Sequence, residues 1–97
     1  MTARDRPIVA DASRPSLPRH VRLRHDPVRG AWALLSPEKV LWPDEVSLAI
    51  LRRCDGLTDV ASIAGALAAE YEADEAEVRR DVTEFLQDWS DRMVVRL

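Results

Sequence analysis

Leu34-Leu35-Ser36-Pro37-Glu38-Lys39-Val40-Leu41-Trp42, followed by Ile50-Leu51-Arg52-Arg53-Cys54-Asp55-Gly56, is the stretch on which the fold turns. Ser36-Pro37 stops an apolar run, because proline lacks an N–H and fixes φ. Lys39–Trp42 then reads as a short strand ended by Pro43. Asp44 is a good N-cap and Glu45 puts negative charge in the first turn, so a helix opens here. Val46, Ala49, Ile50 and Cys54 keep helical spacing. Asp55-Gly56 supplies a stop, with glycine suited to the left-handed C′ position.

Upstream, Val21-Arg22-Leu23-Arg24-His25 alternates apolar and polar residues, the period of a half-buried strand. Asp26-Pro27-Val28-Arg29-Gly30 has turn chemistry, and Ala31–Leu35 is a second strand antiparallel to the first. Downstream, Thr58 is expected to cap a second helix whose buried face is Val60, Ile63, Ala64 and Leu67. Asp74 with Glu77 reads as a capping box. It opens a third helix with the apolar stripe Val78, Val82, Phe85, Leu86 and Trp89. Met93–Leu97 is expected to pack as a strand or extended segment. Residues 1–19 hold Pro7, Pro15 and Pro18 without an apolar period, so 1–16 is expected to be a flexible tail and 17–97 the one folded domain. The order predicts an α+β fold: winged helix-turn-helix-like, a three-stranded antiparallel sheet followed by three helices.

Composition narrows the function classes. The chain has 97 residues, 46% apolar and 32% charged, as in an ordinary soluble domain. No apolar run approaches the ~18 residues of a membrane span, and the first residues have no apolar signal region. One cysteine makes no internal disulfide, so a cytoplasmic location is expected. The net charge of −3 is split: residues 1–31 carry seven Arg against three Asp, and residues 32–97 carry seven basic against fourteen acidic residues. A winged-helix DNA-binding or adaptor protein is the alternative reading. A recognition helix must sit among phosphates and needs Lys and Arg there. Residues 58–73 contain neither, and helix three sets Arg79 and Arg80 against Asp74, Glu75, Glu77, Asp81, Glu84 and Asp88. No nucleic acid and no membrane are therefore expected as partners.

Catalytic constellations are not expected either. His20 and His25 flank one strand with no Cys, Asp or Glu at metal spacing. Cys54 lies on an apolar helix face with no activating His nearby in sequence, the usual setting of a buried structural thiol. The three glycines are isolated, so no phosphate loop is formed. The carboxylates of helix three read as a solvated face. No cofactor, no metal and no enzymatic activity are expected.

A three-stranded meander leaves an edge with unpaired N–H and C=O groups, and an extended peptide can add there. Lys39, Val40, Leu41 and Trp42 form the expected open edge. Val40 and Trp42 share one face and are expected in the core, with Lys39 and Leu41 turned toward a ligand. Arg79 and Thr83, four apart on helix three, are expected to line the groove, with Val82 and Leu86 completing that wall.

Pro18-x-x-Val21-Arg22-Leu23, Gly30-x-Trp32, Leu35-x-Pro37-Glu38, Ile50-Leu51-x-x-Cys54-Asp55-Gly56, Asp81-Val82, Phe85-Leu86 and Asp91-Arg92 follow one another in an order and spacing that resembles the PqqD family. The resemblance covers about Leu17 to Leu97; Cys54 departs from the small or apolar residue more usual at its place. It implies a peptide-recognition module of pyrroloquinoline quinone biosynthesis that binds a precursor peptide (PqqA-like) between the third strand and the third helix. It also implies a radical S-adenosylmethionine enzyme (PqqE-like) as partner, which crosslinks a Glu to a Tyr in that peptide. The enzyme is expected to meet the acidic side of helix three at Glu77, Asp81, Glu84 and Asp88.

Overall fold

The computed structural model describes residues 7–97. Three strands, β1 (Arg22–Asp26), β2 (Ala31–Leu35) and β3 (Val40–Leu41), precede three helices, α1 (Glu45–Leu51), α2 (Val60–Tyr71) and α3 (Glu75–Asp91). The sheet is antiparallel in the order β1-β2-β3, the expected meander followed by helices. Gly30 closes the β1–β2 turn with φ +64°, and its N–H donates to the Asp26 carbonyl at 2.8 Å. That backbone region strains residues bearing a Cβ.

Local chemistry sets the helix ends. The Asp44 side chain accepts from Ser47 N–H and the Asp74 side chain from Glu77 N–H, as their positions suggested. The cap of α2 is Asp59 and not Thr58: its carboxylate accepts from Ser62 N–H at 2.8 Å. Thr58 is drawn instead into a turn around Asp55, whose carboxylate accepts from Leu57 N–H, Thr58 N–H and the Thr58 hydroxyl. α1 ends at Leu51, before the Asp55-Gly56 stop. Gly56 has φ +79° in the following loop, where its N–H donates to the Pro15 carbonyl and a Cβ would meet Ser16 Cβ at 3.4 Å.

The core lies between one face of the sheet and the helices. Leu34, Ile50, Leu51, Val60, Ile63, Leu67, Val82 and Leu86 are buried there, with Leu23, Leu41, Phe85 and Trp89 packed against them at its margin. Val94 and Val95 are also buried, so the C-terminal segment packs as expected.

The N-terminal segment departs from the expected tail. Residues 1–6 lie outside the described residues, but 7–16 are strapped to the domain. Val9 and Pro15 are buried. Ser16 bridges Asp55 on one side and Arg96 on the other, with Ser16 N–H to Arg96 carbonyl at 2.7 Å and the reverse bond at 2.8 Å. The Ser13 and Asp11 carbonyls accept from Val60 and Ala61 N–H, two of the first-turn donors of α2. A helix start leaves such donors without intrahelical partners. The segment is ordered because it supplies them, a tertiary role that its prolines and lack of period do not announce.

Candidate functional site

β3 has one strand partner. Leu34↔Leu41 and Leu35↔Val40 join it to β2, and among the described residues no strand pairs with its other edge. Ser36 N–H donates to the Lys39 carbonyl at 3.0 Å, which fixes the phase of the ladder. Antiparallel pairs alternate between hydrogen-bonded and non-hydrogen-bonded. Ser36·Lys39 and Leu34·Leu41 are therefore the bonded pairs, and Leu35·Val40 is not. It follows that the N–H and C=O of Val40 point away from β2, out of the open edge.

The same register assigns the faces and reverses the expectation from sequence. Leu41 stands opposite Leu34, which is 1% exposed, and packs on the core. Val40 and Trp42 face solvent, 51% and 45% exposed. A strand with apolar residues on both sides carries no local sign of which side is buried, and a one-residue shift exchanges them. Lys39 is exposed at the start of the strand.

At the β2–β3 turn, just before this edge, lies a depression of about 270 Å³ lined by His20, Val21, the turn Ser36–Lys39 and Arg92-Met93-Val94. The approach to β3 and the C-terminal end of α3 thus face one another. The helix-three residues expected to complete the wall are elsewhere. Val82 and Leu86 are 1% and 0% exposed and belong to the core. Arg79 and Thr83 line a different depression with Asp11, Ala76, Arg80 and Glu84, and the Arg79 guanidinium pairs with Asp11 at 3.2 Å.

Helical geometry explains the displacement. Residues advance about 100° each, so 79, 83 and 87 share one flank. The N-terminal segment lies along it: Val9 N–H donates to Gln87 Oε1 and Gln87 Nε2 donates to the Pro7 carbonyl, both at 3.0 Å. The other flank carries Asp81, Phe85, Asp88 and Arg92, and Arg92 is the member that lines the depression with Lys39. Phe85 and Trp89, four apart, stack at 5.0 Å between centroids. Both are half-buried at the margin of the core, in line with the apolar stripe expected from the sequence.

Charge at the depression is mixed. His20, Lys39 and Arg92 line it with Glu38, and Arg92 Nε lies 3.4 Å from Asp88. Glu77, Asp81, Glu84 and Asp88 are all exposed along one side of α3. Cys54 is buried, its thiol donating to the Ile50 carbonyl at 3.3 Å. Burial, helped by the charge of Asp55, pushes that thiol up to about 12, so it stays protonated and inert near neutral pH. Among the described residues no three His, Cys, Asp or Glu side chains gather to hold a metal ion, and no helix is long and apolar enough to cross a membrane.

Comparison with known proteins agrees with the fold. A family model described as coenzyme PQQ synthesis protein D (PqqD) matches residues 31–95. A PqqA binding protein of Rhodopseudomonas palustris strain TIE-1 is 54% identical over 84 residues, 87% of this chain and 82% of that one. Two solved structures are similar. One is the solution structure of the PqqD truncation of Methylobacterium extorquens PqqCD, described as a functional and stand-alone recognition element for ribosomally synthesized and post-translationally modified peptides. It has a TM-score of 0.77 and 35% identity, over 92% of this chain and 95% of that one. The other is the crystal structure of PqqD from Xanthomonas campestris, with a TM-score of 0.58 and 39% identity over 92% and 99%.

Proposed function

The chain belongs to the PqqD family, and on that footing we propose that it is a peptide-binding chaperone of pyrroloquinoline quinone biosynthesis, holding a PqqA-like precursor by strand addition at β3. The observation that carries this reading is the outward-facing N–H and C=O of Val40 beside the depression shared by Lys39 and Arg92. An extended peptide satisfies those groups with main-chain bonds, while side chains alternate into the flanking surfaces. The peptide-binding residues in this reading are Lys39, Val40 and Trp42 with the Phe85 and Arg92 flank of α3. Leu41, Val82 and Leu86 support them from the core, and Arg79 and Thr83 hold the N-terminal segment.

The protein performs no chemistry of its own and works in the cytoplasm. It delivers the peptide to a radical S-adenosylmethionine enzyme, PqqE-like, which joins a Glu to a Tyr. Ordering a flexible peptide costs on the order of 2–5 kcal/mol of the gross interaction energy. Once held, the peptide reaches the enzyme at raised effective concentration. Its reacting residues stay outside the groove, since a side chain enclosed here cannot enter a second active site. DNA binding draws no support from α2, which has no Lys or Arg between Val60 and Tyr71.

Amide chemical-shift mapping with a candidate precursor peptide tests the site. The largest shifts are expected at residues 39–42 and around 85, 88, 89 and 92. Shifts confined to 76, 79, 80 and 83 would move the site to the far flank of α3 and refute strand addition at β3.

A further inference from the structure

Among the described residues no helix packs on the outer face of the sheet. Leu23, Leu34 and Leu41 form the core-facing row. The residues between them make two rows on the opposite side: Arg22, Leu35 and Val40, and then Arg24 and Ala33 with Trp42 beyond. Arg24, Ala33, Leu35, Val40 and Trp42 of these rows line, with His25, Asp26 and Pro27, a shallow depression of about 430 Å³, and Arg22 stands outside it at the end of its row. The Arg29 guanidinium lies over the Trp42 ring, 4.7 Å from its centroid. Arg22 and Arg24 are exposed and make no ion pair among the described residues. Among the described residues Asp26 is the acid on this side, and it is engaged by Arg29 at 3.8 Å and by the Val28 and Arg29 N–H groups.

We propose that this basic, apolar-centred face is where the modifying enzyme docks, through an apolar patch of its own ringed by Asp and Glu. The inference rests on the peptide-carrier reading and goes beyond it by naming the surface and its chemistry. Interfaces draw their binding energy from a desolvated centre rich in Trp, Tyr and Arg. This face has Trp42 and three arginines around an apolar floor. The acidic side of α3, where the enzyme was expected from sequence, exposes the carboxylates of Glu77, Asp81, Glu84 and Asp88, the last paired with Arg92. Charge complementarity selects the occupant. Three arginines face one aspartate here, while residues 32–97 as a whole carry seven basic against fourteen acidic residues. An acidic patch on a partner is steered to this end of the molecule and repelled by the helices. A second copy of this chain does not fit the face, because an isologous contact would set Arg22, Arg24 and Arg29 against themselves.

The pleat adds a consequence. A strand joining β3 extends the sheet, and every other side chain of the bound peptide then stands on this outer face beside Val40 and Trp42. The enzyme meets carrier and peptide as one surface. Each of the two ligands therefore raises the affinity for the other by the same factor.

The experiment measures affinity between the full chain and the purified radical S-adenosylmethionine enzyme, with and without precursor peptide, alongside separate peptide titrations. The double variant Arg22→Glu/Arg24→Glu should weaken enzyme binding at least about tenfold at moderate ionic strength. Its peptide affinity should stay within about twofold. Glu77→Lys/Glu84→Lys should leave enzyme binding unchanged, and peptide should tighten enzyme binding to the native chain. Unaltered enzyme affinity in the arginine variant, its loss in the glutamate variant, or no gain on adding peptide would each overturn the proposal. So would a concentration-dependent dimer abolished by Trp42→Ala, which would make the face an interface between copies. Failure of the native chain to bind peptide in its own titration would strike the carrier reading instead.

Discussion

Replacing Val40 with proline tests strand addition at its narrowest point. The Ser36–Lys39 bond at 3.0 Å and the Leu35↔Val40 pairing turn the Val40 N–H away from β2. Proline there removes one donor from the open edge and none from the β2–β3 ladder. The side chain is half exposed, so no core volume is lost. One ladder bond is worth about 0.5–1.5 kcal/mol net, so the dissociation constant for the precursor peptide should rise about 2- to 13-fold. The ring adds to this wherever it meets the incoming carbonyl. Leu41→Pro is the contrasting variant. Its N–H belongs to the bonded Leu34·Leu41 pair and its side chain packs on the core, so it should lower stability as well. Titration calorimetry gives the affinities, and circular dichroism with denaturant melts checks the fold. A folded Val40→Pro variant that binds peptide as tightly as the native chain would refute the assignment of this edge.

Leu86→Ala should destabilise the domain by about 2–5 kcal/mol in urea melts, because a fully buried side chain leaves a cavity; native-like stability would mean the site is not core. Deleting residues 1–16 should lower Tm by at least about 4–8 °C, the shift expected of roughly 1 kcal/mol in a domain this size, since Val9, Pro15 and two acceptors for the α2 start are lost; an unchanged Tm would restore the picture of a free tail. Cys54 should resist a thiol reagent at about pH 8 until the domain unfolds, its thiol being held near 12 by burial. Acid should weaken the fold through Asp44, Asp55 and Asp59. Each sits below the ordinary value of 3.8: Asp44 through the Ser47 N–H, Asp55 through the Leu57 and Thr58 N–H groups, and Asp59 through the Ser62 side chain and N–H. A depressed carboxylate stabilises above its unfolded value and ceases to as pH falls through its folded value, so the urea midpoint should drop below about pH 4. A midpoint constant from there to about pH 2.5 would contradict the capping bonds.

Much of the fold was legible because it is written in local chemistry. Alternation in Val21–His25, the Asp26–Gly30 turn, the caps at Asp44 and Asp74, and the stripe from Val78 to Trp89 each act over a few residues and survived packing. The errors were non-local or contested. Thr58 lost the cap of α2 to Asp59, one residue on, because Asp55 drew its hydroxyl and N–H into a turn. Prolines at 7, 15 and 18 suggested a free tail, yet its carbonyls complete a helix that begins more than forty residues later.

Sequence alone identified the family and a third strand within Lys39–Trp42, which the fold forms at Val40–Leu41. Motifs and strand-ending prolines are properties of contiguous residues. Which way that strand faced was decided only by pairing with β2, since Val40, Leu41 and Trp42 are all apolar and the pleat offers no local sign of its buried side. Which flank of α3 remained open was likewise decided in three dimensions. Arg79 and Thr83 sit as well on the helix surface as Phe85 and Arg92, until Asp11, Val9 and Pro7 come from the other end of the chain to cover one side and leave the other beside Lys39.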